Sequence, residues 1–286
     1  MTPASDSGKR PWSSSGLHRS DDGIWRPEDD SAPAVSFPRG GHQECFDLEP
    51  TSFWFGHRNR CIVAMARRFP PPGPIFDVGG GTGFVSLALR EAGFATVLVE
   101  PEPAGARLAH QRGLDPVVCA TLESAGFEGG SLSGIGMFDV IEHVADDLAL
   151  LRTARSLLRP DGRLYVTVPA HRWLWSFEDE VAGHYRRYTT WSLGERLRTC
   201  GFRADFMSYL FWPLPPVIFI GRRIGGLLGS RRSDDPNKYR RQHEGSRIAA
   251  RAVARLLDLE LRLLDRRRRI PLGSSCIAVA SPSEAT

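Results

Sequence analysis

Asp77-Val78-Gly79-Gly80-Gly81-Thr82-Gly83 follows the apolar pair Ile75-Phe76 and leads into a helical pattern that runs to Ala92. Strand, closely spaced glycines and helix together bring backbone N–H groups up to a ligand at the helix N-terminus, where the positive end of the peptide dipoles lies. Glu100 closes the next apolar run, Ala95 to Glu100, and a carboxylate there can accept hydrogen bonds from both hydroxyls of a ribose. A dinucleotide-binding fingerprint sets its third glycine further on than Gly83, and a Walker loop needs a Gly-Lys-Ser/Thr that this stretch lacks.

Outward from this turn, short apolar runs alternate with helical patterns. Pro116 to Cys119 and Ile135 to Phe138 are strand candidates; a helix follows from about Ala145 to Leu158, and Arg159-Pro160-Asp161-Gly162 turns into a strand at Arg163 to Pro169. Such alternation predicts βαβ units and a parallel sheet. Ala204 to Phe211 and Ser275 to Ala280 read as two more strands, separated by a helical insertion at about 212–270 in which Ile248, Val253, Leu256, Leu257, Leu261 and Leu264 share one apolar face. Upstream, Phe53 to Phe69 has a helical apolar face before Pro70-Pro71-Pro72 stops it. Residues 1–44, rich in Ser, Pro, Gly and Asp without apolar periodicity, are expected to be a disordered tail ahead of one domain over 45–286.

With 286 residues the chain can bury one sizeable α/β core with additions. Its formal net charge of +4 is modest, and no basic domain or appended RNA-binding motif points to nucleic acid. Cys45, Cys61, Cys119, Cys200 and Cys276 are scattered without a CxxC pair, as free thiols in a reducing compartment would be. No apolar segment of secretory type follows the first basic residues, and the longest apolar run, Leu210 to Ile220, is broken by Pro213, Pro215 and Pro216 and falls short of the roughly 20 residues a spanning helix needs. A cytoplasmic protein without a transmembrane segment is expected, as a monomer or homodimer.

With these segments in this order, the sequence resembles the class I S-adenosylmethionine-dependent methyltransferases over about residues 50–281. The likeness is carried by Asp77 to Gly83, by Glu100, by Gly136-Met137-Phe138-Asp139-Val140-Ile141-Glu142-His143-Val144, by Leu158 to Gly162 and by Gly183-His184-Tyr185-Arg186-Arg187-Tyr188-Thr189. It is similar to the small-molecule group of quinone biosynthesis and of natural-product clusters, whose opening helix carries a pattern like Trp54 to Arg60 and whose last strand is like Pro271 to Ala280. The resemblance implies an α/β, Rossmann-like three-layer sandwich on a seven-stranded, mostly parallel sheet of order 3-2-1-4-5-7-6, with the last strand antiparallel. It implies S-adenosylmethionine as cofactor, leaving as S-adenosylhomocysteine. Asp77, Gly79, Gly81 and Gly83 would hold the methionine part, Glu100 the ribose and Leu122, through its backbone, the adenine; Phe138 and Asp139 would lie beneath the sulfonium, and Arg58 would reach the cofactor carboxylate. Thr121 stands where many relatives place an acid facing the adenine amino group, and Ser133 replaces an acid common at the start of the fourth strand.

Methyl transfer is an in-line displacement, so the protein must align the nucleophile and exclude water. A hydroxyl nucleophile also needs a proton acceptor, and histidine suits that task near neutral pH. His184 is the first choice and His143 the second, ahead of His171 and His110. Trp54, Trp175, Tyr185 and Arg186 are the candidate contacts to a small-molecule substrate, with Trp173 beside Trp175 as a further apolar wall. His184 has an alternative reading as a loop-fixing residue, with Arg186 and Arg187 paired to Glu178, Asp179 or Glu180. Asp139, Glu142 and His143 resemble an acid-x-x-Glu-His set that binds a divalent metal in some relatives; acids at a helix N-terminus are the preferred reading, with no metal. Phe211 to Arg223 is expected to pack as a lid, the alternative being peripheral contact with an anionic membrane. The acceptor atom, oxygen, carbon or nitrogen, is not legible. RNA or protein methylation, and a non-catalytic scaffold that kept the fold, are the competing functions.

Overall fold

The apolar runs flanking the glycine turn become the centre of a single sheet. The structure, a computed structural model, describes residues 12–14, 16–28, 41–215 and 247–283. The sheet's strands are β1 (Leu17–Arg19), β2 (Trp25–Pro27), β3 (Ile75–Val78), β4 (Thr96–Val99), β5 (Val117–Val118), β6 (Leu132–Phe138), β7 (Leu158–Pro169), β8 (Phe202–Leu210) and β9 (Ser275–Pro282). Their order is β1-β2-β5-β4-β3-β6-β7-β9-β8. From β5 to β8 this is the expected order of seven; β3 to β7 run parallel, and β9 is antiparallel to both β7 and β8. Strands β3 and β6 are buried along their whole length, which explains their unbroken apolar character.

The described helices are α1 (Gly41–Leu48), α2 (Phe53–Arg68), α3 (Phe84–Glu91), α4 (Pro103–Gln111), α5 (Asp147–Leu157), α6 (Phe177–Val181), α7 (Thr190–Thr199) and α8 (Arg247–Asp265). After β1 and β2 at one edge, the chain enters the middle of the sheet at β3, builds towards that edge through α3 and α4, then returns and builds to the other through α5 and α7. Right-handed crossovers therefore place α3 and α4 on one face and α5 and α7 on the other. The strand order reverses between β3 and β6, so a crevice opens beyond their carboxyl ends, where α/β sheets of this kind bind ligands.

Two expectations need correction. The sheet has nine strands rather than seven, because part of the supposed tail folds. β1 and β2 form an antiparallel ribbon, and β2 joins the sheet edge beside β5 through Trp25 and Val118. Trp12 is buried, with its ring edge-on to Trp25 at 5.7 Å and to Phe76 and Phe127 at 6.4 Å each. Residues 41–44 belong to α1. The rest of the tail, residues 1–11, 15 and 29–40, lies outside the described residues.

The insertion falls between β8 and β9, as read, although residues 216–246 lie outside the described residues; most of the lid or membrane-contact stretch therefore carries no structural statement. What is described of it, α8, packs on α2. Glu260 of α8 is fully buried and accepts from the backbone N–H of Phe211 and of Trp212, each at 2.8 Å, with His57 Nε2 of α2 at 2.7 Å. Phe211 sits at φ +60° and lays its ring flat on Trp54, centroids 5.3 Å apart. The insertion is thus fastened to the helix that begins the core. Arg266 to Arg269 are exposed beyond the end of α8, as a charge run at a helix terminus should be.

Candidate active site

A cavity of about 930 Å3 occupies the crevice beyond β3, β4, β6 and β7. That volume falls in the range of small-molecule sites, about 300–1,000 Å3. It has two ends.

At the first end, Gly79 to Gly81 and Glu100 line the wall. Gly81 lies at φ +55° with no atom nearer than 3.8 Å to where a Cβ would sit, so its backbone is open to the cavity. Glu100 is buried; its Oε2 accepts from Gly81 N at 2.7 Å and its Oε1 from Glu102 N at 2.8 Å. Burial pushes its carboxyl up to about 7, against the pull of those two backbone donors. Each carboxylate oxygen keeps a lone pair for another donor. Leu122 and Thr121 line the same end; Thr121 is tied into a local turn with Ser124. Ser133 donates to the Pro74 carbonyl at 2.7 Å, a structural role.

Two of the residues assigned to the cofactor lie behind this wall. Asp77 is buried beneath the glycine turn, with Oδ2 accepting from Ser86 Oγ at 2.7 Å, and burial pushes it up to about 6. Gly83 begins α3 at φ +78°; a Cβ there would come within 2.1 Å of Leu114 Cδ1, so glycine is required by packing rather than by a ligand.

At the second end, Phe138 closes β6 and Asp139 follows it at φ +56°. Its carboxylate forms a short ion pair with Arg58 Nη1 and accepts from Thr167 Oγ1 at 3.3 Å. Arg58 is nearly buried, with its guanidinium 5.0 Å from the Trp54 ring and 5.1 Å from the Phe55 ring. One of its N–H groups is thus committed to Asp139, within reach of the same cavity.

His184 and His143 stand edge to face, 4.6 Å between ring centroids. Asp179 holds His184 Nδ1 at 2.8 Å, which leaves Nε2 as the nitrogen available to the cavity. The same carboxylate takes Arg187 Nε at 2.7 Å and Nη2 at 2.9 Å and, at the head of α6, Ser176 N at 2.8 Å. Burial alone would raise Asp179; His184 and Arg187 outweigh it and hold the carboxyl well below the usual range. The loop-fixing and catalytic readings of His184 are therefore compatible, since one nitrogen serves each. Burial, with His184 beside it, pushes His143 down to about 4, so its imidazole is neutral at ordinary pH. Glu142 is fully buried without a protein hydrogen bond to either carboxylate oxygen, and burial together with the Asp139 carboxylate raises its pKa well above the ordinary value. One ligand atom each from Glu142, His143 and His184 lies within 4.8 Å of the others. The residue trio read from sequence is changed here: His184 takes the place of Asp139, which is engaged by Arg58.

Trp54 and Tyr185 line the cavity, while Trp175 and Arg186 do not; Leu174 takes the place expected of Trp175. Arg186 donates to the carbonyls of Val144 at 2.8 Å and Ala145 at 2.6 Å and pairs with Asp147 at 3.2 Å. It braces the loop after β6 rather than a substrate. His171 stacks on Tyr209 at 4.8 Å, and His110 caps its own helix end at Leu114 O, so neither is in the cavity. Sequence reasoning missed His42 and Cys45 of α1 and Glu49 just after it, which line the first end. Their spacing of three and four residues, that of one helical face, was the available signal.

A family model for the methyltransferase domain matches residues 55–205, more than half of the chain. Among curated proteins, the ubiquinone biosynthesis O-methyltransferase of Xanthomonas campestris pv. campestris (strain B100) is 30% identical over 114 residues, covering 38% of this chain and 48% of that protein. The chain thus spans about half the length of the curated relative it matches. Among solved structures, a SAM-dependent methyltransferase from Thermotoga maritima superposes with a TM-score of 0.51 at 17% identity, covering 85% of this chain and 95% of that one. The [4+2]-cyclase SpnF does so with 0.54 at 17% identity, covering 89% and 99%. Those likenesses extend the fold to nearly the whole sheet, and with the matched domain they establish that the chain belongs to the class I S-adenosylmethionine-dependent methyltransferases.

Proposed function

We propose that the protein moves a methyl group from S-adenosylmethionine to a hydroxyl of a small, largely apolar acceptor. The observation that carries this reading is the meeting, in one cavity, of the Gly81–Glu100 end with the Asp179–His184 pair. When bound, S-adenosylmethionine supplies an electrophilic methyl group on a positively charged sulfur and leaves as the neutral thioether. Glu100 and the open backbone of Gly81 suit the ribose and amino-acid parts of that donor, so the residues fit the group. His184 Nε2 takes the acceptor's hydroxyl proton, and Asp179, already ionised, stabilises the imidazolium that results. Trp54, Phe55, Leu174, Tyr185 and Leu214 form the apolar surround that would orient an aromatic or prenylated acceptor and exclude water. The partial likeness to O-methyltransferases of ubiquinone biosynthesis favours a phenolic oxygen. Calorimetry with S-adenosylhomocysteine, then labelled methyl transfer to a panel of catechols, tests the two halves separately. A folded protein that binds no S-adenosylhomocysteine, or that binds it and methylates amines alone, contradicts this assignment.

Glu142 supports a second reading of the same end. Its unpartnered, buried carboxylate beside His143 and His184 forms an oxygen and nitrogen donor set for a divalent cation. The metal would then lower the pKa of the acceptor's hydroxyl in place of the Asp179–His184 pair. Turnover that survives exhaustive chelation excludes this reading, and turnover restored by added cation after chelation selects it.

A further inference from the structure

The first end of the cavity is closed by a helix that the proposed function has not used. His42 in the first turn of α1 and Glu49, the residue that follows its last turn, both line this end. His42 is nearly buried; its imidazole lies 3.8 Å from where a Cβ on Gly81 would sit, and 3.1 Å from where one on Gly105 would sit. The same position at Gly105 is 3.0 Å from Glu100 Cγ and 3.2 Å from the Gly81 carbonyl. His42, Glu100 and Gly81 therefore converge around the first turn of α4. Glu49 is fastened on the other side. Its Oε2 accepts from Thr82 Oγ1 at 2.5 Å and from Arg112 Nη1 at 2.8 Å, while Arg112 Nη2 reaches the Phe46 carbonyl at 3.2 Å. Thr82 belongs to the glycine turn itself, so this buried ion pair links α1 directly to the loop that faces the cavity.

We propose that α1 is part of the donor site: His42 closes over the sugar edge opposite Glu100, and Glu49, held by Thr82 and Arg112, positions the helix there. The inference rests on reading the Glu100 end as the ribose site. Burial lowers the pKa of the His42 imidazole, so it faces that edge as a neutral ring. Glu49 and Arg112 touch no ligand and act through the position of α1.

Titration calorimetry of the full chain with S-adenosylhomocysteine, paired with hydrogen exchange across residues 41–48, decides the matter. Bound S-adenosylhomocysteine is expected to slow exchange across 41–48, and His42→Ala to raise its Kd about tenfold, a loss of about 1.4 kcal/mol. The same factor is expected with methylthioadenosine, which keeps the ribose and lacks the amino-acid end. A penalty seen with S-adenosylhomocysteine alone would overturn the sugar-edge assignment. Glu49→Gln should speed dissociation of S-adenosylhomocysteine and weaken the protection of 41–48, an effect that a purely structural ion pair would not produce once folding is verified. Exchange across 41–48 that ignores the ligand overturns the proposal and needs no variant at all. If the wild-type chain binds neither probe, the donor reading itself has failed, a separate result.

Discussion

At the Gly81–Glu100 end of the cavity, burial makes Glu100 and the Asp77 behind it sensitive to pH. Both are raised by burial, to about 7 and about 6, above their values in an unfolded chain. Each therefore favours the folded state at low pH, fully below the ordinary carboxylate range, and loses that contribution as the pH rises through about 6 for Asp77 and about 7 for Glu100. Glu100→Gln should accordingly make the change in unliganded melting temperature between about pH 5 and about pH 8 less negative than in the wild type. Donor binding has the opposite sign, because an ionised Glu100 is the better acceptor for two hydroxyls; S-adenosylhomocysteine affinity should rise through about pH 7 in the wild type, with no such rise in the Gln variant. At the other end, His184→Ala should leave that affinity unchanged and slow methyl transfer by about 10²–10⁴-fold. Equal turnover in the variant would remove His184 from the chemistry. That Glu100 and His184 would line the crevice was legible because each stands in a recognisable local order of residues. Arg186 was misread because its partners, Val144 and Ala145, are some forty positions away, and a guanidinium in a loop looks the same whether it meets a carbonyl or a substrate.

The elements legible in the sequence were those whose burial imposes a local pattern. Strands β3 and β6 needed only their own apolar runs, and α2 its periodic face and the prolines after it. Helix α1 escaped because it is eight residues long with a mostly polar sequence, and what ties its end down is tertiary, the bonds of Thr82 and Arg112 to Glu49 just beyond it. The seating of α8 is also a tertiary matter. Glu260 satisfies two backbone N–H groups and His57 in a site without solvent. Glu260→Ala would strand all three, and a loss of about 3 kcal/mol is expected from urea denaturation. Since Phe211 lies on Trp54, the variant should also disturb the acceptor wall and leave S-adenosylhomocysteine binding close to wild type. Equal losses of both would show that the insertion supports the whole domain instead.

At the scale of the molecule, the alternation of apolar runs and helical patterns was enough to predict a parallel sheet, and the order of its seven strands came from the resemblance to the class I methyltransferases. The extra ribbon came from neither, because three-residue strands in a Ser- and Gly-rich context have no periodicity to read, and β2 pairs with a strand far along the chain. Trp12 is its anchor, and Trp12→Ala should cost about 3–5 kcal/mol, the range for emptying an aromatic site in a core. Hydrogen exchange in β1 and β2 should rise in step with that loss.

The ribbon also sets an order of events during synthesis. Ser14 donates to the Ala125 carbonyl, 111 positions further along, and Trp12 rests on Phe127. A ribosome therefore delivers the ribbon long before its socket, and its aromatic residues must wait, exposed, while β3, β4 and β5 emerge. The ribbon can settle only once the stretch around Ala125 and Phe127 has been made, and until then that edge of the sheet has no seal.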